Sequence, residues 1–157
     1  MEIKKVLWLE DQYEDFSAFR SALYRASYPV DNVPSVSEAE KKLREGDYIA
    51  FIFDIKVLPG GDEKWIRLDK KKREENPNFD SYLGLELLRS LFKQDKARVK
   101  LNPPIEIDPK RVIIFSVVYD KTEEILSFGI PENQIKYKSN SDLTTLPQLI
   151  KNIQGED

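Results

Sequence analysis

The chain has 157 residues, of which 40% are hydrophobic and 34% are charged, and its formal net charge is −3. This length and apolar content suit one domain with one hydrophobic core. The absence of cysteine and histidine excludes disulfides, thiolate and imidazole metal sites, and serine–histidine or cysteine–histidine catalysis. The mildly acidic balance gives no field that would steer the whole molecule onto nucleic acid or an anionic membrane.

The ends and the overall pattern of the chain predict its location and domain count. The N-terminus begins with a charged segment rather than an apolar signal core, and no apolar run approaches the ~18 residues that a membrane helix needs. We therefore expect a cytoplasmic protein with no membrane contact. Because the sequence contains no internal repeat or low-complexity tract, we predict that residues 1–157 form a single domain.

In the first third of the chain, short apolar runs alternate with helical periodicity. Lys5–Leu9 predicts a buried strand. A helix follows, whose apolar residues recur at helical spacing: Phe16, Phe19, Leu23 and Ala26. Val30–Val33 predicts a second, weaker strand. Ser35 and Glu38 form a capping box that opens a second helix, and Gly46 ends that helix.

The same alternation continues to the end of the chain. The next elements are a strand at Tyr48–Ile55, a helix at Gly84–Phe92, a strand at Val112–Val118, a helix at Thr122–Phe128 and a short strand at Gln134–Lys138. The last helix has one apolar face, formed by Leu146, Leu149, Ile150 and Ile153. Pro147 fits its first turn if Thr144 or Thr145 caps it. This order predicts an α/β fold, a doubly wound five-stranded parallel sheet with helices on both faces.

Polar residues at the carboxyl ends of the strands are the candidate site, because parallel sheets bind ligands at that edge. Strand one ends in Glu10 and Asp11, strand three in Asp54, strand four in Ser116 and strand five in Lys138. Three carboxylates at one edge repel each other and need a cation, and oxygen ligands of this kind suit Mg²⁺. A lysine and a hydroxyl opposite them would complete a cage for a phosphoryl group.

These strand ends resemble the receiver domain of two-component response regulators. The matching segments are VLWLEDQ, FIFDI, GLELL, IIFSV and IKYKS, in that order. The resemblance covers nearly the whole chain and implies a CheY-like, flavodoxin-like fold. The receiver would be a stand-alone one, in cytoplasmic signal transduction.

The resemblance also implies roles for the candidate residues. Asp54 would accept a phosphoryl group from the phosphohistidine of a sensor histidine kinase or a phosphotransfer protein. Glu10, Asp11 and Asp54 would hold Mg²⁺, with the backbone carbonyl of Lys56 as a further ligand. Ser116 would bind a phosphoryl oxygen, and Lys138 would pair with the phosphorylated aspartate. The signalling output would be contact with an unknown downstream protein. The resemblance also leaves a homodimer open as the oligomeric state.

Several positions depart from the family pattern. Pro59 lies five residues after Asp54, whereas the family usually places a proline four residues after the aspartate. The switch aromatic of the family aligns with Ile135, and we expect Tyr137 to point to the opposite face. Ser139 stands where the lysine is normally followed by proline.

Lys56 leaves two interpretations open. Its ammonium could reach Asp54 or the acidic pair and partly replace Mg²⁺, or it could point to solvent and supply only its carbonyl. The first interpretation would favour a pseudo-receiver. In such a protein the pocket stays empty and is not phosphorylated, and the domain is a constitutive binding module.

Two connections are longer than the family needs. The insertion at about 60–82 contains Trp65 and follows strand three directly, so we expect it beside Asp54. We interpret it as a flap over Asp54 or a docking element, with Trp65 as an apolar anchor. Its basic run Lys70–Arg73 predicts a solvated helix face rather than nucleic-acid binding. The enlarged loop at about 95–110 is predicted to be structural and to lie away from Asp54.

An enzymatic function is the third alternative. A small phosphatase related to haloacid dehalogenases needs an Asp-x-Asp on the first strand, and Glu10-Asp11-Gln12 does not supply it. A nucleotide-binding enzyme needs a glycine-rich loop after that strand, and none is present. The sequence therefore favours a regulatory phosphoacceptor over an enzyme.

Overall fold

A sheet of five parallel strands forms the centre of the fold. The computed structural model describes residues 4–78 and 80–155 of the chain. The strands are β1 Val6–Leu9, β2 Val30–Val33, β3 Ala50–Phe53, β4 Val112–Ser116 and β5 Ile135–Tyr137. Their spatial order is β2-β1-β3-β4-β5, and every neighbouring pair is parallel. The predicted sheet is confirmed, and its strand order reverses between β1 and β3.

Helices cover both faces of this sheet. They are α1 Ser17–Arg25, α2 Val36–Glu45, α3 Glu63–Glu75, α4 Leu83–Phe92, α5 Thr122–Ser127 and α6 Thr145–Ile153. On one face, Leu23 of α1 and Ile150 of α6 share a hydrophobic cluster with Trp8 of β1. On the other face, Leu87 of α4 shares a cluster with Phe53 of β3. No helix within the described ranges is long and apolar enough to span a membrane.

The local sequence explains where these elements begin and end. Every residue of β1, β3 and β4 is buried, which is why those runs are apolar without alternation. The N-cap role of Ser35 is confirmed, because the Ser35 hydroxyl accepts a hydrogen bond from the Glu38 backbone N–H at 3.2 Å. Helix α2 ends before Gly46, and Pro147 lies in the first turn of α6.

The insertion contains a helix, α3, which packs on α2 and α4. Asp62 precedes this helix and accepts a hydrogen bond from the Lys64 backbone N–H at 3.2 Å. Trp65 is 0% exposed and Leu68 is 6% exposed, and both belong to the cluster under α2 and α4. Trp65 is therefore an apolar anchor that fixes α3 in the core of its own domain, and it is not accessible to a partner.

The second enlarged connection packs on the same side of the molecule. Val99, Leu101 and Ile105 are buried in the cluster that contains α2 and α4. Arg98 also forms a salt bridge of 2.7 Å with Glu75 at the end of α3. The two enlarged connections therefore support each other, and we call α3 together with residues 93–108 the α3 region.

Candidate functional site

The backbone of the sheet brings the predicted site residues to one edge. The Glu10 N–H donates to the Val33 carbonyl at 2.9 Å, and the Asp54 N–H donates to the Leu9 carbonyl at 3.1 Å. These hydrogen bonds continue the backbone pairing of the sheet by one residue, so both carboxylates lie directly after the carboxyl ends of their strands. This is the point at which strand order reverses, where open parallel sheets bind ligands.

The carboxylates form a compact cluster of oxygen ligands. Glu10, Asp11 and Asp54 each place a carboxylate oxygen within 4.8 Å of the others. Glu10 is 1% exposed and Asp54 is 3% exposed, while Asp11 is half-buried. Hard oxygen donors around one point fit Mg²⁺, which uses one or two carboxylates and retains waters.

Lys138 is the cation that faces this cluster. Its ammonium lies 2.8 Å from Asp54 Oδ2 and also contacts Glu10 Oε1. The ring centroid of Phe16 is 4.4 Å from the same nitrogen, so the ammonium is covered by an aromatic face as well. The other Asp54 oxygen, Oδ1, accepts the Ile55 backbone N–H at 2.7 Å. Asp54 is therefore held at both oxygens.

The charges of the cluster are not balanced by Lys138 alone. Burial and the nearby charge of Asp54 raise the pKa of Glu10 to about 7. Burial acts to lower the pKa of Lys138, but the carboxylates of Asp54 and Glu10 outweigh it and raise that pKa above its ordinary value. Lys138 thus stays charged, and Glu10 takes up a proton near neutral pH because it is buried and lies beside the charge of Asp54.

Ser116 lies at the same edge, at the end of β4, and is 1% exposed. Its hydroxyl oxygen accepts a hydrogen bond from the Val118 backbone N–H at 3.2 Å. Within the described chain that hydroxyl donates to no acceptor, so its hydrogen is available to an oxygen that enters the site.

The Lys56 ammonium pairs with the insertion rather than with the acidic cluster. Its ammonium forms a salt bridge of 2.9 Å with Asp80, which follows α3 in the insertion. It therefore does not replace Mg²⁺ among the carboxylates, and it is not free in solvent either. Both side chains are about half exposed, at 43% and 54%, so the pair is weak.

The insertion lines the cavity beside Asp54, as its position after β3 predicted. This cavity of about 350 Å³ is bordered by Asp54, Lys138 and Lys56 and, from the insertion, by Arg73, Asp80, Ser81 and Tyr82. The side chain of Arg73 is held by Asp69, with Nε–Oδ distances of 3.1 and 3.2 Å. Asp80, Ser81 and Tyr82 were not singled out from the sequence, and Arg73 was named only as part of the basic run. The length of α3 decides which residues of the insertion reach the cavity, and no local pattern encodes it.

Gly84 fixes the approach of α4 to the site. Its N–H donates to the Ile55 carbonyl at 2.9 Å, and a Cβ at this position would lie 1.9 Å from the backbone oxygen of Asp54. Only glycine allows this approach, which gives a physical reason for the GLELL segment.

The prediction for Tyr137 is wrong. Tyr137 and Ile135 are two residues apart, and residues at that spacing share a face of a strand. The Tyr137 hydroxyl lies 2.7 Å from the Thr122 hydroxyl at the start of α5, and Ile135 is buried in the cluster that includes Ile125 of α5. Tyr119 packs on the Tyr137 ring with centroids 4.3 Å apart.

Comparison with known proteins agrees with this geometry. No protein-family model matches the chain, and no curated protein matches its sequence. Solved structures do match. A CheY-like response regulator receiver domain from Methanospirillum hungatei is 14% identical, with a TM-score of 0.59 over 98% of this chain and 96% of that chain. The fold is that of a receiver domain.

Two further receiver-like structures match as fully. A sensor protein from a Polaromonas species is 17% identical, with a TM-score of 0.57 over 98% of both chains. The receiver domain of a sensor histidine kinase from Pseudomonas aeruginosa is 15% identical, with a TM-score of 0.55 over 99% of this chain and all of that one, and carries a magnesium ion in its active-site cleft. At these identities the likeness establishes the fold, as the motifs predicted.

Proposed function

We propose that this protein is a phosphorylatable receiver of a two-component system and that Asp54 is its phosphoacceptor. The observation that carries the proposal is the convergence of three carboxylates and Lys138 at the strand-order reversal of a receiver fold. The donor is the phosphohistidine of a sensor histidine kinase or a phosphotransfer protein, and the output is contact with a downstream protein.

Glu10, Asp11 and Asp54, together with the Lys56 carbonyl, would hold Mg²⁺. The clustering of three carboxylate oxygens within 4.8 Å of one another supports this assignment, since hard oxygen donors of this kind suit Mg²⁺. Bound Mg²⁺ would neutralise the charge of the carboxylates and of the incoming phosphoryl oxygens.

The residues of the chain have distinct tasks in the transfer. One oxygen of Asp54 attacks phosphorus, and the bond from phosphorus to the donor nitrogen breaks in line with it. Lys138, already 2.8 Å from Asp54, offsets the charge that develops on the transferred group. The free hydrogen of the Ser116 hydroxyl donates to a phosphoryl oxygen. The fold is consistent with a regulatory role, without turnover of a separate substrate.

The insertion restricts which donors reach Asp54. Arg73, Asp80, Ser81 and Tyr82 border the cavity, so a donor that presents a phosphohistidine must pass beside α3. This retains the access role proposed for the insertion, although Trp65 belongs to the core and takes no part in it.

Phosphorylation is tested by the intact mass of the protein after incubation with Mg²⁺ and acetyl phosphate. We expect one phosphoryl adduct on the wild type, none on Asp54→Asn, and none when Mg²⁺ is chelated. Asp80→Asn is the matched control: it removes a carboxylate from the same cavity but not from the cluster, so the adduct should remain. An adduct that persists on Asp54→Asn would contradict the assignment.

One observation favours a second candidate, a pseudo-receiver that binds partners without phosphorylation. Lys138 already contacts both Glu10 and Asp54, and this partly neutralises them without a metal. If no adduct forms and Mg²⁺ changes neither Trp fluorescence nor stability, the pseudo-receiver replaces the leading proposal. Hydrolysis of an aryl phosphate above background would instead support the phosphatase alternative, and we expect none.

A further inference from the structure

A second cavity lies in the α3 region, outside the proposed phosphoacceptor site. It measures about 350 Å³ and separates α3 from residues 98–100. Its α3 side follows the spacing i, i+3, i+4, i+7, which places these residues on one helix face: Lys64, Arg67, Leu68 and Lys71. Its other side is Arg98, Val99 and Lys100. We call these seven residues the basic groove, because five of them are cations and none is acidic.

The positive charge of the basic groove is only partly balanced by the protein. Three of its cations have carboxylate partners: Lys64 with Glu40 at 2.8 Å, Arg67 with Glu63 at 3.1 Å and Arg98 with Glu75 at 2.7 Å. The Arg67–Glu63 pair is 77% and 68% exposed, so water screens it and it breaks at little cost. Lys71 and Lys100 have no carboxylate within 4.0 Å in the described part of the chain. Of these two, the Lys100 ammonium donates a hydrogen bond to the Gln94 backbone carbonyl, which leaves its charge uncompensated. An arriving anion therefore meets two ammonium groups without a carboxylate partner and one weakly held guanidinium.

The floor of the basic groove is apolar. Leu68 is 6% exposed and Val99 is 7% exposed, and they lie between the cations of α3 and those of the facing turn. A ligand that fits both features carries negative charge at its edges and an aliphatic group between them.

The charge of the surrounding surface distinguishes between two anionic ligands of the groove, a nucleic acid and an acidic peptide. Glu63, Glu74 and Glu75 are exposed on the same helix, and the whole chain has a net charge of −3. A nucleic acid carries a phosphate at every step and would run across these carboxylates. A short acidic peptide can instead place its few carboxylates on the cations of the groove alone.

We propose that the basic groove binds an acidic segment of a partner protein. Carboxylates of the segment pair with Lys71 and Lys100, and an aliphatic side chain between them contacts Leu68 and Val99. The groove is formed by the two enlarged connections and shares no residue with the cluster of Glu10, Asp11, Asp54 and Lys138. The groove is therefore a separate site from the proposed phosphoacceptor site.

The test uses the full chain and a short fluorescein-labelled peptide of glutamates with two central leucines. Fluorescence polarisation is measured at about 150 mM salt, where long-range attraction is screened. The wild type is compared with Lys71→Glu/Lys100→Glu and with Arg25→Glu/Lys151→Glu, which makes the same change in net charge on α1 and α6, across the sheet. Lys71 and Lys100 are exposed, and circular dichroism confirms that each variant is folded.

We expect saturable binding to the wild type, a loss of about tenfold or more in the groove variant and a change within about twofold in the control. Lys71→Gln/Lys100→Gln should give an intermediate loss, and a peptide with serines for leucines should bind more weakly. Equal losses in both charge-reversal variants, or no saturable binding, would overturn the proposal. Tighter, groove-dependent binding of a single-stranded oligonucleotide would assign the groove to nucleic acid instead.

Discussion

Glu10 and Glu40 are both buried glutamates, at 1% and 6% exposure, but they lie in opposite electrostatic environments. Glu40 of α2 meets the α3 region, where it accepts hydrogen bonds from Lys64 at 2.8 Å and from Trp65 at 2.9 Å. Burial alone would raise the pKa of Glu40, but these bonds lower it below its ordinary value. Burial and Asp54 instead raise the pKa of Glu10 to about 7.

The difference separates a region of paired buried charges from the candidate site. The buried carboxylates that face α3 each have their own cations; Glu86 of α4, for example, pairs with Lys72 and with Arg89. At the strand edge the buried carboxylates of Glu10 and Asp54 share Lys138. A region whose charges are balanced stabilises the fold, whereas the surplus of negative charge at the edge costs stability until a cation binds there.

The largest effect is expected from Trp65→Ala. Removing a fully buried indole leaves a cavity and an unpartnered Glu40 oxygen, so the free energy of unfolding should fall by about 4 kcal/mol. Urea denaturation measures this loss. Ile66→Ala is the control, because Ile66 is the next residue on α3 but is 39% exposed, and it should change stability by about 0.5 kcal/mol or less. Equal effects of the two substitutions would show that α3 is not part of the core.

Gly84→Ala tests the close approach of α4 to Asp54. The added Cβ would lie 1.9 Å from the backbone oxygen of Asp54 and 2.9 Å from the Cα of Ile55, and backbone atoms cannot rotate away as a side chain can. We expect a loss of about 3 kcal/mol in the free energy of unfolding. Gly61→Ala makes the same chemical change where no atom lies within 4 Å, and its stability should stay near that of the wild type. A tolerant Gly84→Ala would mean that α4 does not approach Asp54 closely.

The smallest effect concerns the pH dependence of stability. In metal-free buffer the folded protein keeps a proton on Glu10 up to a pKa of about 7, whereas the unfolded chain loses it near 4.5. The folded state binds more protons in this interval, so the free energy of unfolding should decrease as pH rises from 4.5 to 7. Over this interval the decrease should be about 2.5 kcal/mol.

This interval isolates Glu10, because the chain has no histidine and the carboxylates with lowered pKa values, such as Glu40 and Glu124, titrate below it. Urea denaturation at a series of pH values should show the decrease in the wild type and lose it in Glu10→Gln. Saturating Mg²⁺ should also remove it. An unchanged slope in Glu10→Gln would contradict the assignment of the surplus charge to this cluster.

The sequence was sufficient to predict the sheet and the residues at its edge. Apolar runs of this kind identify buried parallel strands, and the residue after each run, such as Asp54, is then placed by the backbone ladder alone. The helix α3 was predicted only through its basic run, although Trp65 and Leu68 are three residues apart and follow the N-cap Asp62, which is a helical signal. The error at Tyr137 was one of strand periodicity.

The contacts of the α3 region could not be predicted in the same way. The salt bridge from Lys56 to Asp80 and that from Glu75 to Arg98 join residues more than twenty positions apart in sequence. Each depends on the length and direction of α3 and on the turn at 98–100, which are set by packing and not by any local pattern. The basic groove has the same origin, because its two sides come from separate connections.

The hydrogen bond from the Gly84 N–H to the Ile55 carbonyl holds the two ends of the insertion together, so the insertion is a closed loop on the sheet. The chain leaves the sheet after β3, builds α3, and returns to the point from which it left. Its internal length and surface can vary while both ends stay fixed at the aspartate. If the proposed roles hold, α3 and its groove can change during evolution without any change in the residues at the strand ends.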